Sequence, residues 1–150
     1  MAIRQIRFFD DPVLRKKSRE VKEVDERIRM LLDDLAETMY DIGNAAGLAA
    51  CQVGILKRLV VIDMGDGLIK LVNPKIIHIS GEQQCIEGCV SFPNRFGRTI
   101  RPREVIVQAL NENGEEIVLT GRDELAKCFC HEIDHLDGKV FIDQVIEYVR

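Results

Sequence analysis

Residues 123 to 138 read Asp-Glu-Leu-Ala-Lys-Cys-Phe-Cys-His-Glu-Ile-Asp-His-Leu-Asp-Gly (DELAKCFCHEIDHLDG). The stretch predicts a helix from about Asp123 to Asp137 with Gly138 at its C-terminal end, where a left-handed residue stops the turn. Successive helical residues rotate by about 100°, so His131 and His135 differ by only about 40° and present both imidazoles on one face. Glu132 lies about 100° round from His131, beside that pair, where a carboxylate reaches a metal-bound water rather than the metal itself. Metal-assisted hydrolysis requires this arrangement. The competing reading is a surface helix with two ordinary histidines.

A hydrolytic metal site takes a third protein ligand and keeps a position for water. His78, the remaining histidine, is one candidate. Cys89, in Glu87-Gly88-Cys89-Val90-Ser91, is the better one, because a thiolate is a strong ligand and the adjacent glycine permits close backbone approach.

Upstream, residues 25 to 43 predict an amphipathic helix, since Ile28, Leu31, Leu32, Leu35, Met39 and Ile42 recur at three- and four-residue steps. Asp25 caps its start and Gly43 its end. The segment 44 to 54 (NAAGLAACQVG) is small and nearly uncharged, which suits backbone packed tightly against core or substrate. Strands are predicted at Arg58 to Met64, Leu68 to Asn73, Lys75 to Ser80, Glu104 to Asn111 and Glu116 to Thr120, with Asn113-Gly114 as a two-residue hairpin turn. Helix, then strands, then helix predicts an α+β fold in one domain, 1 to 150. Antiparallel sheets pack around a central C-terminal helix that carries the HExxH motif, with an N-terminal helix added.

The length of 150 residues fits that single domain, and 46% hydrophobic with 31% charged residues is a soluble globular composition. A net charge of −4 lacks the positive field that a dedicated nucleic-acid binder needs, so no DNA partner is expected. No apolar run approaches membrane-spanning length and the N-terminus carries no signal-like apolar stretch, so a cytoplasmic protein without membrane attachment is expected. Five cysteines, Cys51, Cys85, Cys89, Cys128 and Cys130, then read as reduced thiols free to bind metal.

Three segments taken together, Ala45 to Gln52 (AAGLAACQ), Glu87 to Ser91 (EGCVS) and His131 to Gly138 (HEIDHLDG), resemble in order and spacing the three signature motifs of the peptide deformylases. The likeness extends to the entry Asp11 to Arg15 and the exit Gly138 to Asp143. It implies a mononuclear metal hydrolase that removes the formyl group from the N-terminal formylmethionine of new polypeptides. Carried over position by position, Cys89, His131 and His135 would be metal ligands and Glu132 the general acid and base. Gln52 and the backbone N–H of Val90 would hold the developing oxyanion, and Gly47, with Ala46 beside it, would pair with the substrate backbone. Glu87 and Arg101 match positions that form an ion pair behind the metal.

The softness of a Cys-His-His set favours zinc, whereas the resemblance implies one ferrous ion per chain, with nickel or cobalt as active substitutes and zinc poorer. The motifs depart from the family at Ala45, Cys51, Val90 and Cys130, which puts pocket shape and redox sensitivity in question but removes no ligand. The longer C-terminal helix of many members is expected to be missing or reduced to Gln144 to Arg150. Cys128, about 60° from His131 on the helix wheel, borders the site and is a candidate for lining the methionine side-chain pocket. Arg95, Arg98, Arg101 and Arg103 form a basic cluster that reads either as a solvated face or as a contact to ribosomal RNA, given nascent peptides as substrate and transient proximity to the ribosome. Two other readings remain: a metallopeptidase acting on other peptide bonds, and a non-catalytic structural zinc module using Cys85, Cys128 and Cys130.

Overall fold

The computed structural model describes residues 2–149. Helix α1 (Glu26–Ile42) begins where Asp25 Oδ1 accepts the Ile28 N–H at 3.0 Å, satisfying one of the free first-turn donors, and ends at Gly43 with φ +90°. Eight strands follow the order β1 (Gly47–Ala49), β2 (Leu59–Ile62), β3 (Ile69–Ser80), β4 (Gln83–Cys89), β5 (Phe92–Arg101), β6 (Glu104–Leu110), β7 (Glu116–Arg122) and β8 (Glu147–Val149), with α2 (Glu124–Leu136) between β7 and β8. They make an antiparallel five-stranded sheet, β1-β2-β3-β6-β7, and an antiparallel three-stranded sheet, β4-β5-β8.

The reason β2 reads Leu-Val-Val-Ile without alternation is that both its faces are covered. Leu59 and Val61 pack with Leu31, Leu32, Leu35 and Met39 of α1, while Val60 and Ile62 pack with Ala126, Phe129, Ile133 and Leu136 of α2. Each buried side chain of this size contributes roughly 1.5 to 3 kcal/mol through the apolar area it removes from water. Helix α2 is buried on most of its circumference, with Ala126, Phe129, Ile133 and Leu136 on its apolar face and the buried His131, Glu132 and His135 on another. A third, smaller cluster of Leu14, Phe92, Val140 and Phe141 joins the chain ends to β5.

Several expectations are corrected. Segments 69–73 and 75–80 form one strand rather than two, because Pro74, which has no N–H to donate, falls within a register shift between Val72 and Lys75. There Asn73 sits at φ +53° and its side chain both accepts from Val21 N–H and donates to Val21 O at 2.8 Å. Strands β4 and β5 were not predicted; glycines, arginines and glutamines break their apolar alternation. Asn113-Gly114 does not form a two-residue turn. Gly114 alone takes positive φ, at +76°, and the three residues Glu112 to Gly114 turn under the Asn111 side chain, which accepts from the N–H groups of Asn113 and Glu115. The longer C-terminal helix is missing among the described residues, the first of the two outcomes expected, and the stretch instead supplies β8, paired to β5 at Phe96, Gly97 and Arg98; Arg150 lies outside the described residues. No described helix is long and apolar enough to cross a membrane.

Candidate metal centre

Helix α2 delivers His131, Glu132 and His135 to one side of the interior, all three less than a tenth exposed. A register shift between Gly88 and Cys89 at the end of β4 turns Cys89 toward them. Donor atoms of Cys89, His131 and His135 all lie within 4.8 Å of one another, and Cys89 Sγ is 3.5 Å from His135 Nε2. His78 is exposed on β3 opposite Ile106, away from this set. Among the described residues no triad involving Cys85, Cys128 and Cys130 converges as a metal-binding group.

A single divalent ion fits these donors. His131 donates from Nδ1 to Glu87 Oε1 at 2.9 Å, which leaves its Nε2 lone pair for a metal, the usual way a carboxylate orients a ligating imidazole. Two buried polar atoms beside the donors, Glu132 Oε1 and His135 Nδ1, have no partner among the protein atoms. A thiolate and two imidazoles suit zinc, iron, cobalt or nickel.

Behind His131 the carboxylate of Glu87 receives Arg101 Nε at 2.6 Å and Nη2 at 2.8 Å, together with the Thr99 hydroxyl. Asp134, three residues after His131 on α2, accepts from the remaining Arg101 Nη1 at 2.9 Å. Burial alone would raise the Glu87 pKa, but the Arg101 and His131 hydrogen bonds outweigh it and hold the carboxyl well below the usual range. In the metal-free site burial opposes charge on His131 as well; its contacts to Cys89 and Glu87 prevail and hold its pKa well above the usual value. His135, equally buried and beside a charged His131, is held well below. Burial pushes Glu132 up to about 7 against the pull of His131. Phe141 stacks on the His131 ring, with centroids 6.0 Å apart and planes at 24°.

Gln52 stands in a 3-10 turn that follows β1, with its amide fixed at both ends. Oε1 accepts the Ala49 N–H at 3.0 Å, and Nε2 donates to Ser91 Oγ at 3.1 Å and lies 3.4 Å from Cys89 Sγ. Ala46, Gly47, Gln52, Val90, Cys128 and Glu132 all line one cavity of about 520 Å³. Ser91, Thr99, Asp134 and Phe141 were not singled out from sequence. Ser91 and Asp134 stand inside the Glu87–Ser91 and His131–Gly138 motifs and were within reach of that reading, whereas Thr99 and Phe141 join the site only through strand pairing and packing.

The four arginines do not form one basic face. Arg95 lies over the Phe9 ring, Arg98 pairs with Glu147, Arg101 is buried on Glu87, and Arg103 pairs with Asp123. Alternation along β5 sends Arg98 and Arg101 to opposite faces.

An α+β fold that places a buried HExxH helix against a third, thiolate donor in a cavity wall defines a mononuclear metal-dependent hydrolase. The profile of the polypeptide deformylase family matches residues 3–150. Peptide deformylase 2 of Clostridium acetobutylicum is 59% identical over 150 residues, covering 100% of both chains, and the peptide deformylase of Acetivibrio thermocellus is 56% identical over 149 residues, covering 99% of this chain and 87% of its own. The crystal structure of the Thermotoga maritima peptide deformylase superposes with a TM-score of 0.93 at 38% identity, covering 97% of this chain and 99% of that one. That of a Legionella pneumophila peptide deformylase gives 0.92 at 41%, covering 96% and 86%. The chain belongs to the polypeptide deformylase family, metal-dependent hydrolases that remove N-terminal formyl groups.

Proposed function

We propose that this single domain of residues 1–150 deformylates N-formylmethionyl nascent peptides in the cytoplasm, close to the ribosome that makes them, and that Cys89, His131 and His135 hold one ferrous ion for which zinc, nickel or cobalt can stand in. The convergence of those three donors beside a buried Glu132 with an unpartnered Oε1 carries this reading. When bound, such an ion supplies Lewis acidity and lowers the pKa of an attached water to about 7.

The chain's own residues do the rest. Water adds to the formyl carbon, the carbon–nitrogen bond breaks, and formate and a free amino terminus leave. Glu132 Oε1 takes the proton lost by the attacking water and returns it to the departing nitrogen, the two halves of general acid-base catalysis. Gln52 Nε2 and the Val90 N–H donate to the formyl oxygen as its charge grows, and the Ala49 and Ser91 contacts hold the Gln52 amide ready without reorganisation. Gly47 and Ala46 offer backbone to the extended peptide, and Cys128 lines the pocket for the methionine side chain. Glu87, braced by Arg101, orients His131.

Protein purified without oxygen should contain one iron per chain and release formate from formyl-Met-Ala-Ser but no acetate from the acetyl analogue. Cleavage of internal amides at a comparable rate would favour the metallopeptidase instead, and absence of any hydrolysis with metal bound would leave a structural module.

A further inference from the structure

Lys127 stands one turn before His131 on α2, about 6 Å along the axis, and its side chain, 20% exposed, forms part of the wall of the same cavity. Its Nζ is tethered rather than free. It donates to the Ile86 carbonyl oxygen at 3.2 Å and pairs with Glu124 at 2.7 Å, so the head is held between α2 and β4. An ammonium has three donors, and with two engaged, one is left for an acceptor that enters the cavity. Cys128, the next residue, adds a buried thiol to the same wall.

This inference rests on the proposed function, in which the formyl group lies at the Cys89, His131 and His135 set. Methionine sulfur is five bonds from the formyl carbon, about 6 Å in an extended chain, and both His131 and Lys127 line the cavity that the side chain would enter. A thioether is a weak acceptor that makes little use of an ammonium. Its oxidised form, the sulfoxide, carries a strongly polar oxygen that an apolar pocket would reject. We propose that Lys127 extends the activity of this site to peptides beginning with N-formylmethionine sulfoxide, its Nζ donating to the sulfoxide oxygen. Water cleaves the formyl carbon–nitrogen bond to give formate and the free amine as before. The sulfoxide passes through unchanged, so no oxidant or reductant is consumed.

The test compares kcat/KM on formyl-Met-Ala-Ser and on its methionine sulfoxide counterpart, for metal-loaded wild type, Lys127→Met and Lys127→Arg, with metal content and Tm measured on each. In wild type the two values should agree within about tenfold. The sulfoxide-to-thioether ratio should fall a further tenfold or so in Lys127→Met, the factor carried by a hydrogen bond from a charged donor, and recover in Lys127→Arg. An equal ratio in wild type and Lys127→Met overturns the proposal. If Lys127→Met does not fold, wild type decides alone, since rejection of the sulfoxide by more than about 100-fold overturns it. If metal-loaded wild type hydrolyses neither peptide, the parent reading has failed. Calorimetric binding of Met-Ala-Ser against its sulfoxide then still tests Lys127, and weaker sulfoxide binding refutes its role.

Discussion

Gly47 and Glu132 are in contact: a Cβ built on Gly47 would stand 2.8 Å from Glu132 Oε2 and 2.9 Å from its Cγ. Strand β1 can lie against the Glu132 side of α2 only because residue 47 has no side chain. The Gly47 backbone itself is at ordinary φ, so the requirement is one of space rather than of conformation. In Gly47→Ala the added methyl must displace the Glu132 carboxylate by a few tenths of an ångström or more. We expect metal content and Tm close to wild type with kcat lowered by about 10- to 100-fold, the scale on which a misplaced proton carrier is felt. An unchanged kcat would show that the Glu132 position is not critical.

Glu132→Gln keeps size and polarity but cannot carry a proton. The variant should fold, bind one ion per chain and retain KM, yet lose at least the ~10² in kcat typical of a missing acid-base group. Near wild-type turnover, with metal content confirmed, would remove Glu132 from the reaction.

Gln52→Leu should separate oxyanion stabilisation from binding. Loss of one preorganised donor typically lowers kcat by about 10² to 10³. The Ser91 hydroxyl and Ala49 N–H also lose their partner, so a drop in Tm is expected alongside. A change confined to KM would make the amide a ground-state contact only.

The Glu87–Arg101 pair should be visible in the pH dependence of stability of the metal-free protein. The folded pKa of Glu87 lies below its ordinary value of 4.5, so its stabilisation is fully present above that pH and is lost as pH falls through the folded value. Glu87→Gln should destabilise by about 3 kcal/mol at pH 7, because it leaves Arg101 buried and short of charge. Its unfolding free energy should also fall less steeply than that of wild type between pH 5 and pH 3. Parallel curves in urea titrations would rule out this contribution.

Thiol chemistry should single out Cys89. Burial pushes Cys51 up to about 12 and Cys130 up to about 11, holds Cys128 well above the usual thiol value, and raises Cys85. All four are buried, whereas Cys89 is partly exposed in the cavity wall, where a reagent can reach it. One thiol per chain should therefore react rapidly with a disulfide reagent in the folded, metal-free protein, and metal loading should suppress that reaction. Several fast equivalents would mean that the other cysteines carry the redox sensitivity.

Local sequence determined a good deal of this protein. The four-residue spacing of His131 and His135, the neighbouring Glu132, the apolar stripe of α1 and the continuous apolar run of β2 are properties of segments a few residues long. Their meaning follows from helical and strand geometry alone. Contacts between distant segments were decided by the tertiary structure. Cys89 faces the histidines because a register shift ends β4 there, and His78 does not because it lies exposed on β3, paired with Ile106 of β6. Glu87 meets both Arg101 and His131 because β4 pairs with β5 and packs on α2, and those two strands were illegible in sequence, since Glu87, Gly97, Thr99 and Arg101 face inward while Ile86, Phe96 and Ile100 face outward, which inverts the usual apolar-in alternation. The approach of Gly47 to Glu132 and the seating of Lys127 on the Ile86 carbonyl have the same origin. Such distances depend on strand register and helix packing, which are set by the whole core rather than by any short stretch of chain.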